Sequence, residues 1–190
     1  SSTSIFSFFT LISRILGYLR DILIAFFLGA SISADAFFVA FRLPNTFRRL
    51  FSEGTFNAAF IPSYTSAKME SKREGKKFAD DILGSLLLIL ILIVTIVEIF
   101  TPYLVFIVAP GFIENDIKFN LAVELTRITF PFLLFVSLSS FFSGILNSNN
   151  KFAAAAAAPM ILNMILILSL IASYKLNLNF VKQLSLGVTL

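Results

Sequence analysis

The sequence predicts an all-α polytopic membrane protein, and two observations carry that prediction. Of the 190 residues, 57% are hydrophobic, and the mean hydropathy is +0.90. Most of the 24 Phe lie in long apolar blocks, and one block reads LLLILILIVTIV. Such blocks suit the roughly 20 residues that a helix needs to cross a bilayer. The chain has no Cys and no His. That removes disulfides, thiolate and imidazole metal ligands, and the commonest nucleophile and base pairs. An enzyme is therefore not expected, nor a metal or cofactor.

Six apolar segments divide the chain. The first, residues 4–28, ends at Gly29 before the polar link ASISA, where Ser31 or Ser33 can cap the second helix. The second, 35–64, would be about 45 Å long. It can cross with tilt or a bend, and Pro44 supplies the bend. SAKMESKREGKK reads as a polar loop, after which Asp80 and Asp81 suit the first turn of a third span, 82–108. APGFIEND is a turn. The fourth span, 119–146, holds Glu124 and Arg127 at a spacing that lets them pair. It also holds Ser140 and Gly144, small enough for a neighbouring helix to come close. The fifth, 153–174, opens on an alanine run, and the sixth, 181–190, stops short of a full crossing. The start lacks an initiator Met and a secretory signal pattern, so the chain reads as a fragment.

Loop charge sets the orientation. With the N-terminus inside, Lys68, Lys72, Arg73, Lys76, Lys77 and Lys151 lie inside, against Lys118, Lys175 and Lys182 outside. The balance favours a cytoplasmic N-terminus, and the basic loop 68–77 suits anionic headgroups.

Against this apolar background, residues 14–53 hold Arg14, Arg20, Asp21, Asp35, Arg42, Arg48, Arg49 and Glu53. At 100° per residue, Asp35, Arg42, Arg49 and Glu53 fall within about 40° of one another on the second helix. A charge at mid-helix costs roughly 3 kcal/mol on insertion scales, so this face meets water or protein rather than lipid. One reading makes the charges structural: Arg14 pairs with Asp21 and Arg42 with Asp35, or the second segment lies flat at the interface. The sum favours another reading. Five Arg against three acids leave two positive charges over. Arginine at all five places suits bidentate contact with phosphate or carboxylate. A pyrophosphate diester, with about two negative charges, matches the surplus. The chemistry thus points to a cavity for an anionic, lipid-borne substrate.

The runs SRILGYLRD at 13–21, FLGAS, and ADAFFVAFRLPNTFRRLFSEGTFNAAFIP at 34–62 resemble the MurJ (MviN) family of lipid II flippases, as do APGF, ITFPFLL, GILN and PMILN further on. The resemblance implies the N-terminal lobe of a two-lobe exporter fold, with five complete transmembrane helices and the start of a sixth. It implies alternating-access transport of lipid II, the undecaprenyl-pyrophosphate-linked peptidoglycan precursor, from the inner to the outer leaflet of the bacterial cytoplasmic membrane. By matching positions, Arg14, Arg20 and Arg48 are the important arginines and Asp35 an important acid; Arg42 and Arg49 also fall at positions where the family carries basic residues. Arg48 and Arg20 are expected on the pyrophosphate, Arg14 on the cavity floor, and Asp35 against an Arg when substrate is absent. Asp21, Arg42 and Arg49 stand behind them, and Glu53 is given a structural or gating role. The implied partners are lipid II, membrane lipids and the cell-wall synthesis machinery, with a monomer at full length and no nucleic acid. The alternatives are an exporter of another polyprenyl-pyrophosphate-linked sugar and a non-transporting scaffold.

Overall fold

A computed structural model describes the backbone of residues 2–52, 55–149 and 153–189, and the side chains of 8–47, 58–149 and 157–189. These residues form helices joined by short turns, with no strand among them. The first helix, α1 (Ser2–Leu28), stops at Gly29, whose φ of 56° is left-handed and costs little without a Cβ. Ser31 accepts from the Ala34 amide at 3.1 Å and so caps α2 (Ile32–Ser52). The expected span 35–64 is divided between α2 and α3 (Thr55–Glu70), which lie either side of two residues outside the described set.

The basic stretch read as a loop is helical on both sides of one residue. Ser71 alone separates α3 from α4 (Lys72–Val108), and its hydroxyl accepts from the Glu74 amide at 3.1 Å. Ser-x-x-Glu is the capping-box spacing, which starts a helix even in fully polar sequence. Buried Gly75 completes the hairpin: a Cβ there would lie 2.9 Å from the Lys68 backbone. At 37 residues, α4 is about 55 Å long and outreaches a bilayer core. It bends at Phe100, two residues before Pro102. Pro102 has no N–H for the Glu98 carbonyl, and the buried Thr101 hydroxyl donates to that carbonyl at 3.1 Å and to Val97 O at 2.6 Å.

A short 3-10 turn, Pro110–Glu114, leads to α5 (Asp116–Thr129), capped by Asn115. The expected fourth span is two helices, because Pro131 interrupts the ladder before α6 (Phe132–Ser148). Beyond it lies α7 (Ala153–Leu176), which Asn177 ends in the left-handed region, with the Leu178 amide on Ser173 O at 3.0 Å. Asn179 then caps α8 (Phe180–Thr189).

Three stretches are long and apolar enough to cross a membrane among the described residues: Lys72–Val108, Asp116–Ser148 and Ala157–Leu176. The apolar window of α4 is only 17% buried. It presents Leu88, Ile89, Leu92, Ile96 and Ile99 outward, a surface that water would penalise and lipid accepts. Inside, α1 packs chiefly on α7, α2 on α5, and α3 on α4. One core cluster joins Ile24, Phe37, Ala40, Leu125 and Leu184; a second joins Leu43, Phe60, Leu90, Phe130 and Phe141.

Helix α8 enters the bundle through Gly187, which is buried where a Cβ would stand 2.5 Å from Ser169 Oγ of α7. Gly187→Leu is expected to lower the melting temperature of the purified full-length protein, at a cost of about 1–3 kcal/mol. The Ser169 hydroxyl can turn away from a methyl but not from a leucine. An unchanged thermal melt in detergent would contradict the close approach of α7 and α8.

Candidate functional site: an arginine on a polar cavity wall

The α1–α7 seam positions the best-defined charged side chain. The two helices meet beside Gly17, where a Cβ would lie at contact distance, 3.4 Å, from Asn163 Nδ2. Asn163, buried on α7, reaches α1 twice. Its Nδ2 donates to Ser13 O at 3.0 Å, and its Oδ1 accepts from Arg20 Nη1 at 2.8 Å. Arg20 also donates to Asp21 Oδ1 from Nε at 3.0 Å and from Nη2 at 2.7 Å. The Arg20 side chain is 20% exposed, that of Asp21 64%. A guanidinium carries five N–H donors. Three contacts occupy three of them, so two remain for a ligand.

Arg20 lines a cavity of about 690 Å³ walled by α2, α6, α7 and the end of α8. Its walls mix Phe41, Phe132 and Phe135 with Asn45, Ser139, Ser143 and Asn147. Asn147 Oδ1 is buried without a hydrogen-bond partner among the described residues. Pockets of roughly 300–1,000 Å³ hold small-molecule ligands. Polar groups set among aromatic walls suit an amphipathic one.

The other expected site residues are distributed. Arg14 on α1 and Arg42 on α2 are exposed, and neither makes an ion pair among the described residues. Asp35, in the first turn of α2, takes Lys118 of α5 at 2.5 Å; the two side chains are 55% and 22% exposed. The structural pairs expected from sequence are thus replaced: Arg20 rather than Arg14 holds Asp21, and Lys118 rather than Arg42 holds Asp35. In each expected pair the partners are two helical turns apart, about 10 Å along the axis. Glu124 likewise pairs with Lys182 of α8 at 2.7 Å rather than with Arg127. The backbone of Arg48 and Arg49 belongs to α2, but their side chains, and the whole of Glu53, lie outside the described residues. Asn163 and Lys118 are the contributors that sequence reasoning missed. PMILN pointed to the first only as part of a resemblance.

Fold and site together define a helical lobe of a polytopic membrane protein, with an arginine on the wall of a cavity lined by both polar and apolar side chains. Comparison with known proteins narrows the class. The family model for lipid II flippase MurJ matches residues 24–190. The chain is similar to the probable lipid II flippase MurJ of Rhizobium tropici, 45% identical over 85% of this chain and 31% of the relative. It is similar also to that of Rickettsia prowazekii, 43% identical over 86% of this chain and 32% of the relative. A solved structure of lipid II flippase MurJ in an inward closed conformation superposes with a TM-score of 0.84 at 32% identity, over 97% of this chain and 38% of that one. The chain belongs to the lipid II flippase MurJ family. It spans about a third of the length of the curated relatives it matches.

Proposed function

We propose that this chain is the N-terminal lobe of a transporter that moves lipid II from the cytoplasmic to the outer leaflet of the bacterial inner membrane by alternating access. The observation that carries the reading is Arg20, largely withdrawn from solvent on a cavity wall, with two donors left after the protein has taken three. A largely desolvated guanidinium with two N–H donors left over favours an anionic pyrophosphate over a neutral ligand. Arg20 and Arg48 contact the pyrophosphate, and Arg14 supplies a further cation to the cavity. Asp35 and Asp21 neutralise arginine or lysine when substrate is absent, and Arg42 and Arg49 stand behind them. The lobe does no covalent chemistry, so the work is transport. The basic stretch 68–77 lies on the cytoplasmic side with the N-terminus.

Complementation tests this. A bacterium depleted of its own lipid II flippase is expected to grow when the full-length gene carrying this segment is expressed. Protein that reaches the membrane without restoring growth would rule out lipid II and leave another polyprenyl-pyrophosphate-linked sugar as the cargo.

A further inference from the structure

We propose that Asn163 is the positioning residue for Arg20: a buried amide on α7 that fixes the guanidinium, and so sets which of its N–H groups face an anionic ligand. The proposal rests on the reading of Arg20 as a contact to the substrate's pyrophosphate.

Three features support it. Asn163 is 7% exposed and lies in an apolar stretch of α7, where a polar side chain is costly unless both its ends are bonded. Both are bonded, and both bonds go to α1: one to the backbone at Ser13, one to the Arg20 side chain. The Ser13 bond fixes how the amide is turned, because the Nδ2 end is taken by a carbonyl and only the Oδ1 end can accept from Arg20.

The geometry also explains why the pair with Asp21 does not carry this arginine out into solvent. Arginine has several rotatable bonds, and Asp21 next to it in sequence could draw the guanidinium away into solvent. Asn163 holds Nη1 on the α7 side while Asp21 takes Nε and Nη2. A planar group gripped from two sides has one orientation. Pre-organisation of this kind removes the cost of ordering a long side chain when the ligand arrives. Asn163 acts through Arg20 and needs no contact with the ligand itself.

The test uses purified full-length protein and inorganic pyrophosphate as probe, with binding measured by calorimetry. The variants are Asn163→Leu, Arg20→Ala and the double substitution. Loss of one hydrogen bond to a charged group predicts about ten-fold weaker binding for Asn163→Leu. In the Arg20→Ala background the same change is expected to add nothing beyond about two-fold, because its effect passes through the missing side chain. A purely structural asparagine predicts additive losses instead. Asn163→Ser, short enough to fit the seam and too short to reach either group, gives the same comparison should leucine prevent assembly. Wild-type affinity in both Asn163 variants, or an undiminished loss on top of Arg20→Ala, overturns the proposal. A wild type that binds no pyrophosphate overturns it together with the reading of Arg20. Coupling between Asn163 and Arg20 in a protein that does not translocate lipid II leaves the positioning role standing and removes only the lipid II cargo.

Discussion

Arg20→Ala in the full-length protein is expected to abolish rescue of a flippase-depleted bacterium, although the protein still reaches the membrane. The variant removes a cavity-lining group that keeps two donors beyond the three the protein uses. Each charge-assisted bond to a phosphate oxygen is worth about 1.5–3 kcal/mol, so two bonds amount to roughly a hundred-fold or more in affinity. It also strands its partners. Asn163 Oδ1 loses its donor in a buried place, and Asp21 keeps a negative charge beside the cavity that once held a net balance. Arg20→Lys is expected to restore little, because a single ammonium on a flexible stem cannot meet Asn163, Asp21 and a ligand at once. Lys182→Ala is the matched control. Its pair with Glu124 is about half exposed on both sides, and such pairs contribute at most about 1 kcal/mol. Growth supported by Arg20→Ala at wild-type level would make the arginine structural.

Ala40→Leu is expected to have the largest effect on stability, about 3 kcal/mol or loss of the folded protein. Ala36 and Ala40 lie one turn apart on α2, both fully buried, in the contact between α2 and α5 where Ala122, Thr126 and Thr129 are likewise fully buried. Small residues facing one another let two backbones come close in a membrane, where dispersion rather than water drives association. The approach is close enough for Thr129 Oγ1 to donate to the Ala40 carbonyl at 3.0 Å across the interface. A leucine would overpack the seam at a cost of about 1–3 kcal/mol and break that bond, worth about 1 kcal/mol more. Thermal unfolding in detergent reads the loss. Thr129→Val, which keeps the shape and drops the bond, is expected to show only the smaller part.

The same seam marks where sequence reasoning reaches its limit. Hydropathy picks out α4 because lipid imposes a single demand on a helix surface, and its outward Leu and Ile meet it plainly. Hydropathy is indifferent to Ala36 and Ala40, which are small rather than apolar in any distinctive way; they share their four-residue spacing with Ser140 and Gly144, and spacing alone does not say which pair meets a neighbour. Pro131 divides the fourth span, yet an apolar run reads the same on both sides of it. The stretch 72–77 reads as a loop because it is charged, while the Ser71 cap and Glu74 make it the first turns of a helix that extends past the bilayer. At the site, counting charges finds a cationic surplus but assigns the wrong pairs. Asp21 goes to its sequence neighbour and Asp35 to a lysine 83 residues away, a choice fixed only when α2 packs on α5. Asn163 is legible as a residue and not as a role, since that role depends on a helix 143 positions earlier.

The most direct test is translocation in reconstituted vesicles. Purified full-length protein and its Arg20→Ala variant are placed in liposomes with labelled lipid II, and the label reaching the opposite leaflet is followed. The wild type is predicted to move lipid II and the variant to remain at the protein-free background. Equal rates for the two proteins, or no movement by the wild type, would contradict a pyrophosphate held by this lobe.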